Sequence, residues 1–306
     1  MKKATVGIVL FNPEVETINK NIELLKKQFD NIILFDNTDD DNSKLFENND
    51  NVIYMSECKN AGIAYALNQI MEKADELGYE WVVTLDQDSK IPENMMTEYE
   101  RYFDCENVGI LCSQVIDKRR KYMKLADNDK AFESVGKCIT SASCTRVDAW
   151  KKAGKYDSSL FIDLVDNDFS KRVKIVGYDI YRVNNVILDQ ELGVIEYKDT
   201  KMGHFFVWLG EKTHSKNIAK LSYKKEVSPL RIYYTNRNVI YLNKKHKKYG
   251  GIGYESYYCK SFAGYYTKFN LSSIMRSDHK MKILKAVVKG TKDGIKLSKK
   301  SEPYNL

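Results

Sequence analysis

Two aspartates separated by one residue, Asp86 and Asp88 in WVVTLDQDS, close an apolar run that reads as a buried strand. Carboxylates at this spacing in a tight turn suit a hard divalent cation, Mg2+ or Mn2+, and through it the oxygens of a diphosphate. The same residues also fit an acidic turn before the helix entered at Pro92. A second cluster, Asp163, Asp166 and Asp168, lies in FIDLVDNDFSKR. If a helix begins near Val165, Asp166 and Asp168 occupy its first turn, where the dipole favours carboxylates. Asp163 is different, flanked by Phe161, Ile162, Leu164 and Val165. A carboxylate in apolar surroundings holds its proton more tightly and suits a general base.

The elements that position these residues alternate. ATVGIVLF (4–11) reads as a strand, 17–29 as a helix through Ile18, Ile22, Leu25 and Phe29, and 31–37 and 51–56 as strands. A helix over 61–78 ends at Gly78, and 80–86 is a fourth strand. This order predicts an α/β fold, a mostly parallel sheet with helices on its faces and ligands beyond the carboxyl ends of the strands. Asn12 and Pro13, Asp36 and Asn37, Asn60, and Asp86 with Asp88 follow successive strands, so they are expected on one edge. Residues 134–150 read as a strand and a short helix, and 160–183 as loop, helix and strand. The last third reads as helices over 229–246, 252–272 and 280–297, which predicts a catalytic region at 1–225 and a C-terminal helical region at 226–306.

The 306 residues carry a net charge of +7 and 43% hydrophobic residues, enough for one sizeable core. No apolar run approaches a membrane span, and the N-terminus lacks the pattern of a signal peptide. The six cysteines form no C-x-x-C pair and read as reduced thiols of a cytosolic protein. Residues 36–50 are acidic and the chain from His279 onward is lysine-rich. That asymmetry suits an anionic partner (nucleic acid, phospholipid or a phosphorylated substrate) or simple solubility.

NPEVETI, FDNT, KNAGIAYALN, LDQDS, FIDLVDNDFSKR and SPLRIYYTNRN occur in this order. Together they resemble the inverting family 2 glycosyltransferases of GT-A fold, and most the bacterial rhamnosyltransferase branch. The resemblance implies a Rossmann-like nucleotide-sugar domain with a C-terminal helical extension. It implies that Phe11, Asn12 and Glu14 hold the nucleoside and that Asp36 and Asn37 contact the base. Asn60 would approach the diphosphate. Asp88 would bind Mg2+ or Mn2+, and Asp86 the metal, ribose or sugar. Asp166 takes the place of the catalytic base, with Asp163 beside it, and Arg172 fits the Arg of that helix. Relatives carry a metal-binding His where this chain has Gln190; His204 and His214 are alternatives. Arg231 and Arg237 are expected to pair with a diphosphate or an acceptor phosphate.

The implied function is transfer of a sugar, foremost L-rhamnose from dTDP-rhamnose, to a lipid-linked saccharide in cell-surface polysaccharide synthesis. A UDP-hexose or UDP-galactofuranose donor is the alternative. No nucleic-acid partner is expected. A HAD-type phosphatase also ends a strand in D-x-D, but after its first strand rather than its fourth. In the tail, Lys282, Lys285, Lys289, Lys292 and Lys296 share one helical face, with Ile283, Leu284, Val287, Val288 and Ile295 opposite. That pattern fits a helix on the inner face of an anionic cell membrane or one packed on the protein, with Gly290 and Gly294 weakening it in isolation. The aromatic stripe Tyr254, Tyr257, Tyr258, Phe262, Tyr265, Tyr266 and Phe269 suits a core or a homo-oligomer interface.

Overall fold

β1 (Ala4–Leu10), β2 (Ile32–Asp36), β3 (Val52–Ser56) and β4 (Trp81–Asp86) are parallel neighbours in the order β3-β2-β1-β4. The computed structural model describes residues 3–300 and 303–304, apart from 47–48, 121–122, 127–129, 192, 194, 198, 215–217, 219–221 and 226. β1 is buried on both faces from Thr5 to Leu10, as its unbroken apolar run requires between two helical layers. Register does the positioning. Leu10 pairs with Asp36 and Val9 with Asp86, so the two carboxylates flank the exit of β1 just before Phe11.

The sheet is mostly parallel, as expected, with antiparallel members beyond β4. Beyond β4 it continues through β7 (Ser143–Arg146), β5 (Val108–Ile116), β8 (Asp179–Asp189) and β6 (Phe132–Ser134). β7 runs antiparallel to both β4 and β5, and β6 antiparallel to β8. β9 (Ile195–Tyr197) and β10 (Tyr223–Lys225) form a separate pair.

α1 (Val15–Leu25) buries Ile18, Ile22 and Leu25 on one side of the sheet, and α2 (Ile63–Glu76) buries Ala66, Leu67, Ile70 and Met71 on the other. α3 (Met95–Tyr99) and α4 (Val147–Lys152) are short. α5 (Val165–Ile175) opens after two consecutive residues at positive φ, Asp163 (69°) and Leu164 (64°). Neither is glycine or asparagine, so the turn is held by its surroundings. α6 (Lys201–Lys212) is N-capped by Thr200.

The C-terminal third is helical, with one departure. α7 (Pro229–Lys245) is capped by Ser228 and carries Pro at its start. The predicted helix over 252–272 is broken: Tyr258 is left-handed, and α8 (262–276) starts only after Ser261 caps it and passes through a π-helical stretch at 266–271. α9 (Lys280–Lys300) lies along α7. Its glycines explain the close approach. A β-carbon on Gly290 would stand 2.4 Å from the Tyr233 carbonyl oxygen, and one on Gly294 2.6 Å from that of Arg237.

Candidate active site

The strand exits converge through side chains that read, in sequence, as spacers. Gln87, between the two aspartates, accepts from the Phe11 amide (2.8 Å) and donates to the Phe11 carbonyl (3.1 Å). Asn21 of α1 donates to the Gln87 carbonyl at 3.0 Å. Asn12 has φ 47° and donates its amide to the Thr38 hydroxyl at 2.9 Å. Phe11, Asn12 and Glu14 are exposed at this rim, Glu14 accepting from Thr17.

Asp36 departs from expectation. It is fully buried and accepts from the Thr38 amide (3.0 Å), Asn42 (2.8 Å) and the Tyr54 hydroxyl (3.0 Å). Its carboxylate shapes the loop and is not offered to a base. Asp39, Asp40 and Asp41 are the exposed acids of this loop, and Asp39 accepts from the Asn60 amide at 3.0 Å. Asn37 bridges to Asn60 (3.0 Å) and to the Ala61 amide (2.9 Å). Gly62 then adopts φ 92° where a β-carbon would meet the Phe161 carbonyl oxygen at 2.7 Å, and Ile63 donates to that oxygen at 2.8 Å. The loop before α2 therefore abuts the loop before α5.

At the fourth strand, Asp88 is exposed and Asp86 half-buried. Burial and the Asp88 charge raise the Asp86 carboxyl, against a hydrogen bond from Gln190 Nε2 at 2.6 Å. β8 delivers Gln190. Its amide donates to Ile116 (3.0 Å), and Asp189 forms an antiparallel bridge with Lys90 just past the D-x-D turn. Gln190 Oε1 is buried with no partner. An orphaned carbonyl oxygen on the side chain that contacts Asp86, two residues before Asp88, adds a hard-oxygen donor of the kind that fits Mg2+ or Mn2+. Among the described residues no group of three or more His, Cys, Asp or Glu gathers to hold a metal. His204 lies on Asp199 (2.8 Å) and His214 is exposed, so neither joins Asp86 and Asp88 as a third member of such a group.

The second cluster separates into three roles. Asp163 is not in apolar surroundings, because Arg231 donates to both of its oxygens, through Nε at 2.9 Å and through Nη2. Asp166 carries no such partner. Burial pushes its carboxyl up to about 6, with Asp163 adding to the rise and the Asn167 amide, its own amide and Lys137 opposing it. Asp168 is fully buried against Arg172, Lys245 and His246. Burial alone would raise its carboxyl, but these three cations and donors outweigh it and hold it well below the carboxylate range. Arg172 thus anchors α5 from inside, donating also to the carbonyls of Ala153 and Lys155.

α7 grips the loop that leads to Asp166. Arg231 holds Asp163, Arg237 donates to the Ser159 carbonyl (2.5 Å), and buried Asn238 donates to the carbonyls of Ile162 and Asp163 (2.8 Å each). Tyr234 stacks on Phe161 at 5.0 Å. Both arginines expected on a phosphate are engaged by the chain itself.

Residues 5–141 match the family described as glycosyl transferase family 2. A dTDP-rhamnosyl transferase, RfbF of Shigella flexneri, is 26% identical over 254 residues, spanning 78% of this chain and 79% of the relative. The protein is a glycosyltransferase. Two solved structures share its GT-A-like fold. A mannosyltransferase of Pyrobaculum calidifontis, in complex with GDP-Man and Mn2+, has a TM-score of 0.52 at 12% identity, over 94% of this chain and 74% of the other. GalNAc-T7 with UDP, GalNAc and Mn2+ has a TM-score of 0.54 at 14% identity, over 89% and 57%. In the glycosyltransferase the matched segment ends inside the loop that carries Ser141, whose hydroxyl accepts from the Asp86 amide (3.2 Å) and meets Ser89 (2.6 Å). Asp166, Gln190 and α7 lie beyond it.

Proposed function

We propose that this glycosyltransferase is an inverting enzyme that moves L-rhamnose from dTDP-rhamnose to a hydroxyl of a lipid-linked saccharide in cell-surface polysaccharide assembly. The observation that supports this chemistry is a raised carboxyl, Asp166, in the first turn of a helix whose preceding loop abuts the loop of Asn60 and Gly62 at the strand exits. The rhamnosyl choice is supported by the dTDP-rhamnosyl transferase relative. A UDP-hexose donor is the alternative in the same cleft.

In this mechanism Phe11, Asn12 and Asn37 seat the nucleoside side of the donor, Asn60 approaches the diphosphate, and the exposed Phe11 ring offers a stacking face. Asp86, Asp88 and the Gln190 carbonyl oxygen would hold Mg2+ or Mn2+. When bound, that cation neutralises charge on the departing diphosphate. Asp166 takes the proton of the acceptor hydroxyl as that oxygen attacks the anomeric carbon. The bond to the diphosphate breaks on the opposite side, and the nucleoside diphosphate leaves with the electron pair. Asp163 and Arg231 hold the loop that sets the position of Asp166. Residues 1–225 carry these groups, and 226–306 brace them through α7. No helix of the described residues is long and apolar enough to cross a membrane, and we place the enzyme at the cytoplasmic face as a peripheral protein.

The test is a thermal-shift and calorimetry screen of dTDP, UDP and GDP, each with Mn2+, Mg2+ or EDTA, on wild type and Asp88→Asn, followed by donor hydrolysis. Metal-dependent dTDP binding lost in the variant supports the assignment. UDP selectivity removes rhamnose and keeps the chemistry. Absence of nucleotide binding under every condition overturns it.

A further inference from the structure

The lysine-rich helix α9 has two apolar stripes, and the fold uses only one. Ile283, Val287, Gly290, Gly294 and Ser298 are buried, with Gly290 and Gly294 set against α7 and Ile283 and Val287 packed with Ile232. At 100° per residue these positions centre on one side of the helix. Met281, Leu284, Val288 and Ile295 fall on a separate strip turned away from α7. Met281, Val288 and Ile295 are 65%, 45% and 45% exposed. Lys285, Lys292 and Lys296 run beside that strip, exposed along its outer edge. Leu284, Lys285, Val288, Lys289 and Lys292 line an open depression of about 380 Å³.

An exposed apolar strip beside a row of lysines matches the cross-section of an anionic bilayer surface, acyl chains below and phosphates level with the ammonium groups. The one acid of the helix, Asp293, points away from this edge and accepts from Tyr233 of α7. The helix also joins the catalytic cleft through a single intermediary. α7 meets Gly290 and Gly294 at Tyr233 and Arg237, and the same helix holds Ser159, Ile162 and Asp163 in the loop before Asp166.

We propose that the outward strip of α9 docks the protein on an anionic phospholipid surface, so that the loop before Asp166 lies one helix layer from the lipid. The lipid-linked acceptor proposed above gives this docking its purpose; the surface itself rests on the residues of α9.

Flotation of the full chain with vesicles tests it. Vesicles of phosphatidylglycerol and phosphatidylcholine should carry the wild type, and phosphatidylcholine alone should not. Two triple variants separate the contributions: M281S/V288S/I295S removes the strip, and K285E/K292E/K296E reverses the charge. Each is expected to bind anionic vesicles about a hundredfold more weakly. Both alter exposed residues, and circular dichroism checks their fold. Wild type that stays with the pellet, or either variant that floats like wild type, overturns the proposal. A dimer dissolved by the serine variant, with no flotation of wild type, assigns the strip to a second copy and also overturns it. Soluble-donor hydrolysis is measured in parallel. Its absence would sink the transferase assignment and leave the flotation result standing.

Discussion

Gln190 donates to the Asp86 carboxylate at 2.6 Å across 104 residues of chain, and its own carbonyl oxygen is buried without a partner. A side chain that satisfies one atom and leaves the other buried sits at a cost of about 1–3 kcal/mol. A cation at this place would accept the orphaned oxygen. Gln190→Ala should therefore weaken Mn2+ dependence of donor hydrolysis by about 10- to 100-fold while nucleotide binding at saturating metal persists. Chelation by EDTA should abolish turnover in both proteins. An unchanged Mn2+ titration in Gln190→Ala would remove this residue from the site.

Asp166 predicts the acid limb of the pH profile. As a base it works only when deprotonated, so kcat/KM should fall about tenfold per unit as pH drops below about 6. Asp166→Asn should lower kcat by about 100- to 10,000-fold with donor affinity retained. Stability moves the other way. A carboxyl raised in the folded state contributes stability below its unfolded pKa and loses that contribution as pH rises through about 6. At pH 7 the asparagine variant should be more stable than wild type, a higher Tm in the thermal shift. A variant equally active and no more stable would discard the base assignment.

Asp168 gives the opposite sign. Its carboxyl is held low, so its contribution is present above the unfolded carboxylate pKa and is lost only as pH falls below it. Asp168→Asn leaves Arg172 and Lys245 without their shared buried anion. The expected loss is about 3–5 kcal/mol in urea unfolding at pH 7. A loss below 1 kcal/mol would show that the cluster rearranges around water.

Asn238 is the tether of the loop before Asp166. Removing its amide in Asn238→Ala leaves two loop carbonyls without their donor, at a cost of about 1–3 kcal/mol. The catalytic consequence should appear in kcat rather than in donor binding, because the nucleoside side of the cleft is untouched. Equal losses in both would mean that the loop also carries the donor.

Gly290→Val tests the α7–α9 seam. The new side chain meets backbone, which cannot move aside like the end of a flexible side chain. Overpacking here should cost about 1–3 kcal/mol or more, read as a lower Tm. Gly250→Ala is an informative contrast. That position has open space but a φ of 88°, so its cost is conformational and does not reach α7.

Local pattern was enough for much of this protein. Apolar runs and helical periodicity determined β1 to β4, α1, α2, α5 and α7, because the period of burial is written in neighbouring residues. The order of those elements placed Asn12, Asn37, Asn60 and Asp86 on one edge, since parallel strands all end on the same side. The tertiary structure alone decided which acids are free. Asp163 has apolar neighbours in sequence, yet its left-handed turn meets Arg231, 68 residues away. Asp36 follows its strand as expected, yet Tyr54 and Asn42 close over it. The antiparallel β7, the role of Gln87 and the meeting of Gln190 with Asp86 left no local signal, because each depends on a partner distant in the chain. The tail divides the same way. Its amphipathic period could be read directly, but only the seat of Gly290 and Gly294 on α7 determines which apolar stripe is buried and which faces outward. A carboxylate's proton affinity and a helix's free face are set by what surrounds them, and those surroundings are assembled from segments that sequence order keeps apart.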